Sequence, residues 1–169
     1  ALIEALDSRT NDTNHAGWTL AVVYGNVSET IRNLNLWVGG VVVGPNQQVT
    51  DVTLSGFLTP SAQPINAKVF MSAQEGDAVL EGDQFFFGKD LASLTAISGV
   101  NNPVDNFFSS QINDETGALK TSGTFGDRNA SAQTGTNISA GRQGWDISAV
   151  DVSNQMEPSQ SSAMFRFTS

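Results

Sequence analysis

The last nine residues of the chain, SSAMFRFTS at positions 161–169, alternate between two kinds of side chain. Ala163, Phe165 and Phe167 share one side of this segment, and Met164, Arg166 and Thr168 lie on the other. Successive side chains of a β-strand point to opposite faces, so the alternation predicts a strand with one buried face. We expect Phe165 and Phe167 to belong to the core of the protein.

Other β-type segments precede this one, and Gly, Asn, Asp and Pro residues that favour turns separate them. Residues 18–24 are apolar on both alternation phases, which is typical of a strand covered on both faces. Residues 31–43 place Leu34, Leu36 and Val38 on one phase. Further candidate strands cover residues 49–57, 67–72, 84–87 and 145–152. The predicted core therefore contains Val22, Leu34, Leu36, Val38, Phe165 and Phe167.

Helical periodicity is scarce, because no amphipathic run reaches 11 residues and only residues 2–6 and 90–97 favour a short helix. Many short strands with turn residues between them describe a β-sandwich. The sequence thus predicts an all-β, single-domain β-sandwich with jelly-roll-like connections and less than about 15% helix.

Composition restricts the partners and the chemistry of the chain. Its 169 residues carry 17 acidic and 8 basic side chains, a net charge of −9, which argues against nucleic acid because phosphate binding needs clustered Lys and Arg. No segment approaches the ~18 apolar residues of a membrane span. Cysteine is absent, and His15 is the single histidine, without a Gly-x-Ser-x-Gly motif, so we expect no enzyme.

An extracellular location is expected from the polar, weakly charged composition and from four Asn-X-Ser/Thr triplets. These triplets begin at Asn11, Asn26, Asn129 and Asn137, which are candidate glycosylation sites. Chance occurrence is the alternative, since Ser, Thr, Asn and Gln supply 56 of the residues.

Two stretches resemble a known kind of module. They resemble domains of unknown function in large secreted and cell-surface proteins of bacteria and archaea. The first stretch is GWTLAVVY at 17–24, followed by Arg32-Asn33-Leu34, and the second is GRQGWDISAVDVS at 141–153. The resemblance implies a surface location and structural or adhesive work, and it implies no site residues.

The N-terminal residues 1–15 are predicted to form an arm ahead of a sandwich domain at residues 16–169. ALIEAL at 1–6 is apolar except for Glu4, and a polar stretch at 7–14 follows. Such an arm can fold back onto its own sandwich, or it can pair with the open edge of a neighbouring copy.

Two acidic triplets, Glu75-Gly76-Asp77 and Glu81-Gly82-Asp83, are candidates for a Ca²⁺ site. Calcium takes six to eight oxygen ligands, and glycine allows backbone carbonyls to turn toward the ion. We name Asp77 and Asp83 as the candidate ligands, with Asp51 or Asp105 as helpers. Ordinary turn chemistry explains the same triplets without a metal, and no other cofactor is expected.

Trp37 shares its alternation phase with Asn33 and Asn35, a phase that would normally face water. An exposed Trp beside amide groups suits the stacking of a sugar or a protein contact, although a second layer could cover the same face. The sequence therefore predicts an extracellular cell-surface structural or adhesive module that assembles with copies of itself or with another surface protein. The alternative is a glycan-binding module that uses Trp37.

Overall fold

In the computed structural model of the protein, the residues described are 19–40, 43, 49–74, 76, 80–120 and 144–169. Contacts divide the chain into two units, Ala1–Ile31 and Arg32–Ser169. In the first unit, residues 19–26 are outside regular secondary structure and a turn follows at residues 27–29. The second unit contains every strand of the described residues. The predicted boundary between residues 15 and 16 stays a prediction.

The second unit is built from two antiparallel sheets. The larger has the strand order β1-β6-β3-β4, and the smaller pairs β2 with β5. The chain passes repeatedly from one sheet to the other, as it does in a jelly roll, so the predicted all-β sandwich is confirmed. The strands are β1 (Val49–Ser55), β2 (Lys68–Gln74), β3 (Gln84–Gly88), β4 (Thr95–Ala96), β5 (Trp145–Asp151) and β6 (Ser162–Thr168).

Helix is scarce, as the sequence predicts. Within the ranges just given, the helical residues are two 3-10 turns, Leu91–Ser93 and Ser153–Gln155. Asp90 caps the first turn, because its carboxylate accepts the backbone N–H groups of Ala92 and Ser93. The predicted short helix at 90–97 is therefore a single turn, and the chain then continues into β4.

β6 lies between β1 and β3 and has the predicted alternation. Ala163 is buried, and Phe165 and Phe167 are partly buried against the core with their ring centroids 4.8 Å apart. On the opposite face, Arg166 donates from Nε to Asp51 Oδ1 over 2.6 Å. This hydrogen bond from Arg166 lowers the pKa of Asp51 below its ordinary value. β6 thus joins the aromatic core on one face to a cross-strand ion pair on the other.

The core is an aromatic cluster shared between the two sheets and the loop that connects them. The rings of Phe85 and Phe107 are tilted by 47° with their centroids 5.2 Å apart, and Phe107 meets Phe108 edge to face at 5.0 Å. Such arrangements add to the free energy gained by burying the rings. The other members of the buried cluster are Leu54, Ile65, Phe87, Ile97, Val150, Val152, Met156 and Ala163.

The prediction that Val22, Leu34, Leu36 and Val38 are core residues is wrong. Their side chains are between 63% and 91% exposed, and none of the residues 19–40 belongs to a strand. The expected strands at 18–24 and 31–43 are therefore absent from the described residues 19–40 and 43. Alternation indicates that a segment can bury one face, but burial also needs a second surface, and residue spacing says nothing about that surface.

We predict that replacing Phe85 by Ala lowers the free energy of unfolding by about 3–5 kcal/mol, because it leaves a cavity in the aromatic cluster. Phe85 is 1% exposed, whereas Phe70 on β2 is 61% exposed and serves as the matched control. The Phe70→Ala change is expected to cost no more than about 1 kcal/mol. Urea denaturation measures both, and equal losses would contradict the assigned strand faces.

Candidate functional site

The buried amide of Asn102 fastens the loop of residues 99–113 onto β5. This side chain is 1% exposed, and its Nδ2 donates to the carbonyl of Phe107 and to Ser148 Oγ, both over 2.8 Å. Its Oδ1 accepts from Asn113 Nδ2 over 3.1 Å. A buried amide whose hydrogen bonds are all made fixes the loop in one place, because any slip would leave those groups without partners.

Asp146 on β5 extends this polar layer toward the first acidic triplet. Its carboxylate is buried, and Oδ1 accepts the backbone N–H of Gln111 over 2.9 Å. Gly76 packs so closely on Asp146 Oδ2 and on the carbonyl of Phe108 that no side chain could stand at position 76. The glycine of the Glu-Gly-Asp triplet is therefore explained by close packing against a buried carboxylate.

An open cavity of about 380 Å³ lies beside this layer. Its polar lining comes from four uncharged side chains, Asn101, Asn106, Ser109 and Gln111. Ser109 and Asn106 are themselves mostly buried. These described side chains offer hydrogen-bond donors and acceptors and oxygen ligands to a molecule in the cavity.

Three amide oxygens in this region stand out by their environment. Asn106 Oδ1, Gln111 Oε1 and Asn113 Oδ1 are closed to solvent and accept no hydrogen bond from the described residues. Buried acceptors in this state are rare and costly in folded proteins. The sequence analysis did not single out these residues. The available sequence signal was the high density of amide side chains around Phe107 and Phe108. A loop that carries these two phenylalanines into the core also has to bury the amides beside them.

The predicted metal ligands lie in different surroundings. Asp83 is partly buried, and its carbonyl accepts the N–H of Phe107 over 2.8 Å, while Gly82 donates to the carbonyl of Asp105. Asp83 and Asp105 are thus on neighbouring segments, whereas Asp51 pairs with Arg166. Asp77 lies outside the described residues. Within the described ranges, no group of three or more His, Asp or Glu is arranged to hold a metal.

The predicted ligand-binding residues lie on the exposed segment that follows residue 31. Asn35 Nδ2 donates to Asn33 Oδ1 over 2.7 Å, so two of the three residues are in contact. Trp37 is 48% exposed, but Leu34 and Leu36 are more exposed still. Exposure therefore does not distinguish Trp37 from its apolar neighbours.

One candidate glycosylation site is described. Asn26 is exposed in a turn in which its Oδ1 accepts both the N–H and the hydroxyl of Ser28. The asparagine and hydroxyl of this triplet are therefore in contact at the surface. Asn11, Asn129 and Asn137 lie outside the described residues, and glycosylation stays a prediction at all four.

Comparison with known proteins finds no match to a family model, to a curated protein or to a solved structure. Among the described residues, no helix is long and apolar enough to cross a membrane. The resemblance to cell-surface modules and the absence of enzyme activity therefore stay predictions, and the arguments about function depend on this chain's own residues.

We predict that Asn102→Ala lowers the free energy of unfolding by about 2 kcal/mol or more. The reason is that the buried carbonyl of Phe107 and the side-chain amide of Asn113 would each lose a hydrogen-bond partner. Asn101 is the control, since its side chain makes a single described bond, from Nδ2 to the carbonyl of Gly117. The Asn101→Ala change is expected to cost about 1 kcal/mol. Chemical denaturation compares them, and a smaller loss at position 102 than at 101 would refute the role of Asn102.

Proposed function

We propose that the protein is an extracellular structural module that joins copies of itself by strand exchange. The observation that carries this proposal is the row of strand-type apolar side chains exposed on residues 19–38. In the proposed assembly, this part of one copy adds as a strand to the sandwich of a second copy. The arm at residues 1–15 would extend the same contact.

The composition of the exposed segments supports the proposal. Leu20, Val22, Val23 and Tyr24 are each about two-thirds or more exposed, and both alternation phases of residues 19–24 are apolar. β-branched and aromatic residues favour strands, and a strand that is apolar on both phases needs cover on both faces. Burying one such side chain contributes roughly 1.5–3 kcal/mol, so the free energy available to an assembly is large.

The strand order supplies places where a donated strand can add. β1 is one of the two edge strands of the larger sheet, and β2 is one of the two strands of the smaller sheet. Edge strands present backbone groups that an added strand can bond. A chain without cysteine gains from this mode of joining, because backbone hydrogen bonds and apolar burial hold the copies together without disulfides.

A charge placed on the donated strand tests the proposal. We predict that Val22→Asp converts assemblies of the wild-type chain into monomers, because a carboxylate cannot be buried there without a partner. Val27→Asp is the matched control, because this substitution adds the same charge at a residue that is fully exposed in the turn at 27–29. Sedimentation velocity over a range of concentrations measures both variants.

Wild-type chain that stays monomeric at high concentration would rule out strand exchange. Equal dissociation by the two variants would show that charge repulsion, and not burial of residue 22, controls assembly. Deletion of residues 1–7 then separates the arm from the segment at 19–24, because assembly that survives the deletion depends on the latter.

Glycan binding is the second candidate, and the contact between Asn33 and Asn35 beside half-exposed Trp37 favours it. A sugar ring stacked on Trp37 could accept and donate hydrogen bonds at the two amides. We predict that Trp37→Ala abolishes retention on immobilised polysaccharides and that Leu36→Ala, on the opposite phase, does not. Absence of retention for the wild-type chain on every polysaccharide would remove this candidate.

A further inference from the structure

The polar layer between residues 99–113 and β5 has an excess of acceptors. Asn106 Oδ1, Gln111 Oε1 and Asn113 Oδ1 are closed to solvent and accept no hydrogen bond from the described residues. In the same described ranges, no buried side-chain nitrogen lacks a partner. A cation interacts with oxygen atoms alone and can therefore satisfy such acceptors, as a bound water molecule also can.

The backbone brings these oxygens to one region. Residues 111 and 113 both bond Ile147, since Gln111 O accepts the N–H of Ile147 and Asn113 N donates to the carbonyl of Ile147. In an extended segment, side chains two residues apart lie on the same side, so Gln111 and Asn113 share a face. Asn106 and Gln111 also line the same cavity.

A carboxylate borders this group of amides. Asp146 Oδ1 accepts the backbone N–H of Gln111 over 2.9 Å, which places a buried acidic side chain next to residue 111. Neutral oxygen ligands together with a carboxylate are the ligand set that Ca²⁺ takes in proteins. Mg²⁺ fits less well, because it keeps several waters and demands octahedral geometry. The net charge of −9 also raises the local concentration of cations.

We propose that Asn106, Gln111 and Asn113, with the carboxylate of Asp146, form a Ca²⁺ site that fastens the loop of residues 99–113 to β5. This site is distinct from the pair Asp77 and Asp83 named from the sequence. Bound calcium supplies the positive charge that the three amide oxygens lack. The site is independent of the proposed strand exchange, because it uses none of the residues 19–38.

Calcium binding is tested on the full chain after treatment with chelator. We expect added CaCl₂ to raise the melting temperature in a saturable way and MgCl₂ to raise it much less, because a ligand that binds the native state stabilises it. Gln111→Met removes one oxygen at nearly constant volume. Isothermal titration calorimetry should show at least about a tenfold loss of calcium affinity in this variant.

Two further variants keep the test decisive. Asp83→Asn is the control and should retain the calcium-dependent shift, because Asp83 is outside the proposed site. Asn106→Asp adds a carboxylate, so calcium should raise its melting temperature more than it raises that of the wild type. A wild-type chain with no calcium response would overturn the proposal. A response that Asp83→Asn abolishes and Gln111→Met preserves would overturn it in favour of the acidic triplets.

Discussion

The hydrogen bonds of one buried amide, Asn102, fasten the loop of residues 99–113 to β5 of the sandwich. β5 belongs to the small two-stranded sheet, and its inner face carries Asp146 and Ser148 as well as Val150. The loop of residues 99–113 covers this face, and Asn102 joins Phe107 to Ser148 across it. Because the same loop carries Phe107 and Phe108 into the aromatic core, a loss of these bonds would disturb polar and apolar packing together.

Apolar packing and buried hydrogen bonds stabilise the second unit in different ways. Phe85, Phe107 and Phe167 bury large areas, which drives the collapse of the sheets but tolerates small slips. The amide layer contributes less net free energy, because each of its hydrogen bonds replaces one to water. Its geometry is much more demanding, so the layer selects one position of the loop and creates the group of oxygens at which we place calcium.

The sequence predicted a strand correctly where the segment has a surface to pack against. It predicted strands and burial wrongly where the described residues offer no such surface. The alternation of β6 was assigned correctly because Phe165 and Phe167 meet a complementary surface on Phe85 and Val52. The same kind of pattern at Leu34 and Leu36 predicted burial that the described chain lacks. Alternation is a property of one segment, whereas burial is a property of two, and a single sequence does not report the second.

The site was less predictable than the fold. Asp83 was singled out for its acidic neighbours, but Asn106, Gln111 and Asn113 belong to a polar stretch that reads as ordinary loop. Their importance arises because the loop is pulled over β5, and this burial follows from long-range contacts such as Asn102 to Ser148. Amide residues close to a pair of phenylalanines are the one local hint that such a loop turns inward.

The central claim is that a second copy of the chain covers the exposed strand-type segment at residues 19–24. Hydrogen exchange tests this claim most directly. Backbone amides of residues 19–24 are measured by mass spectrometry at low and at high protein concentration. If a second copy supplies the cover, these amides exchange slowly in the concentrated sample, together with those of an edge strand such as β1 or β2. Rapid exchange at residues 19–24 at every concentration would contradict the account.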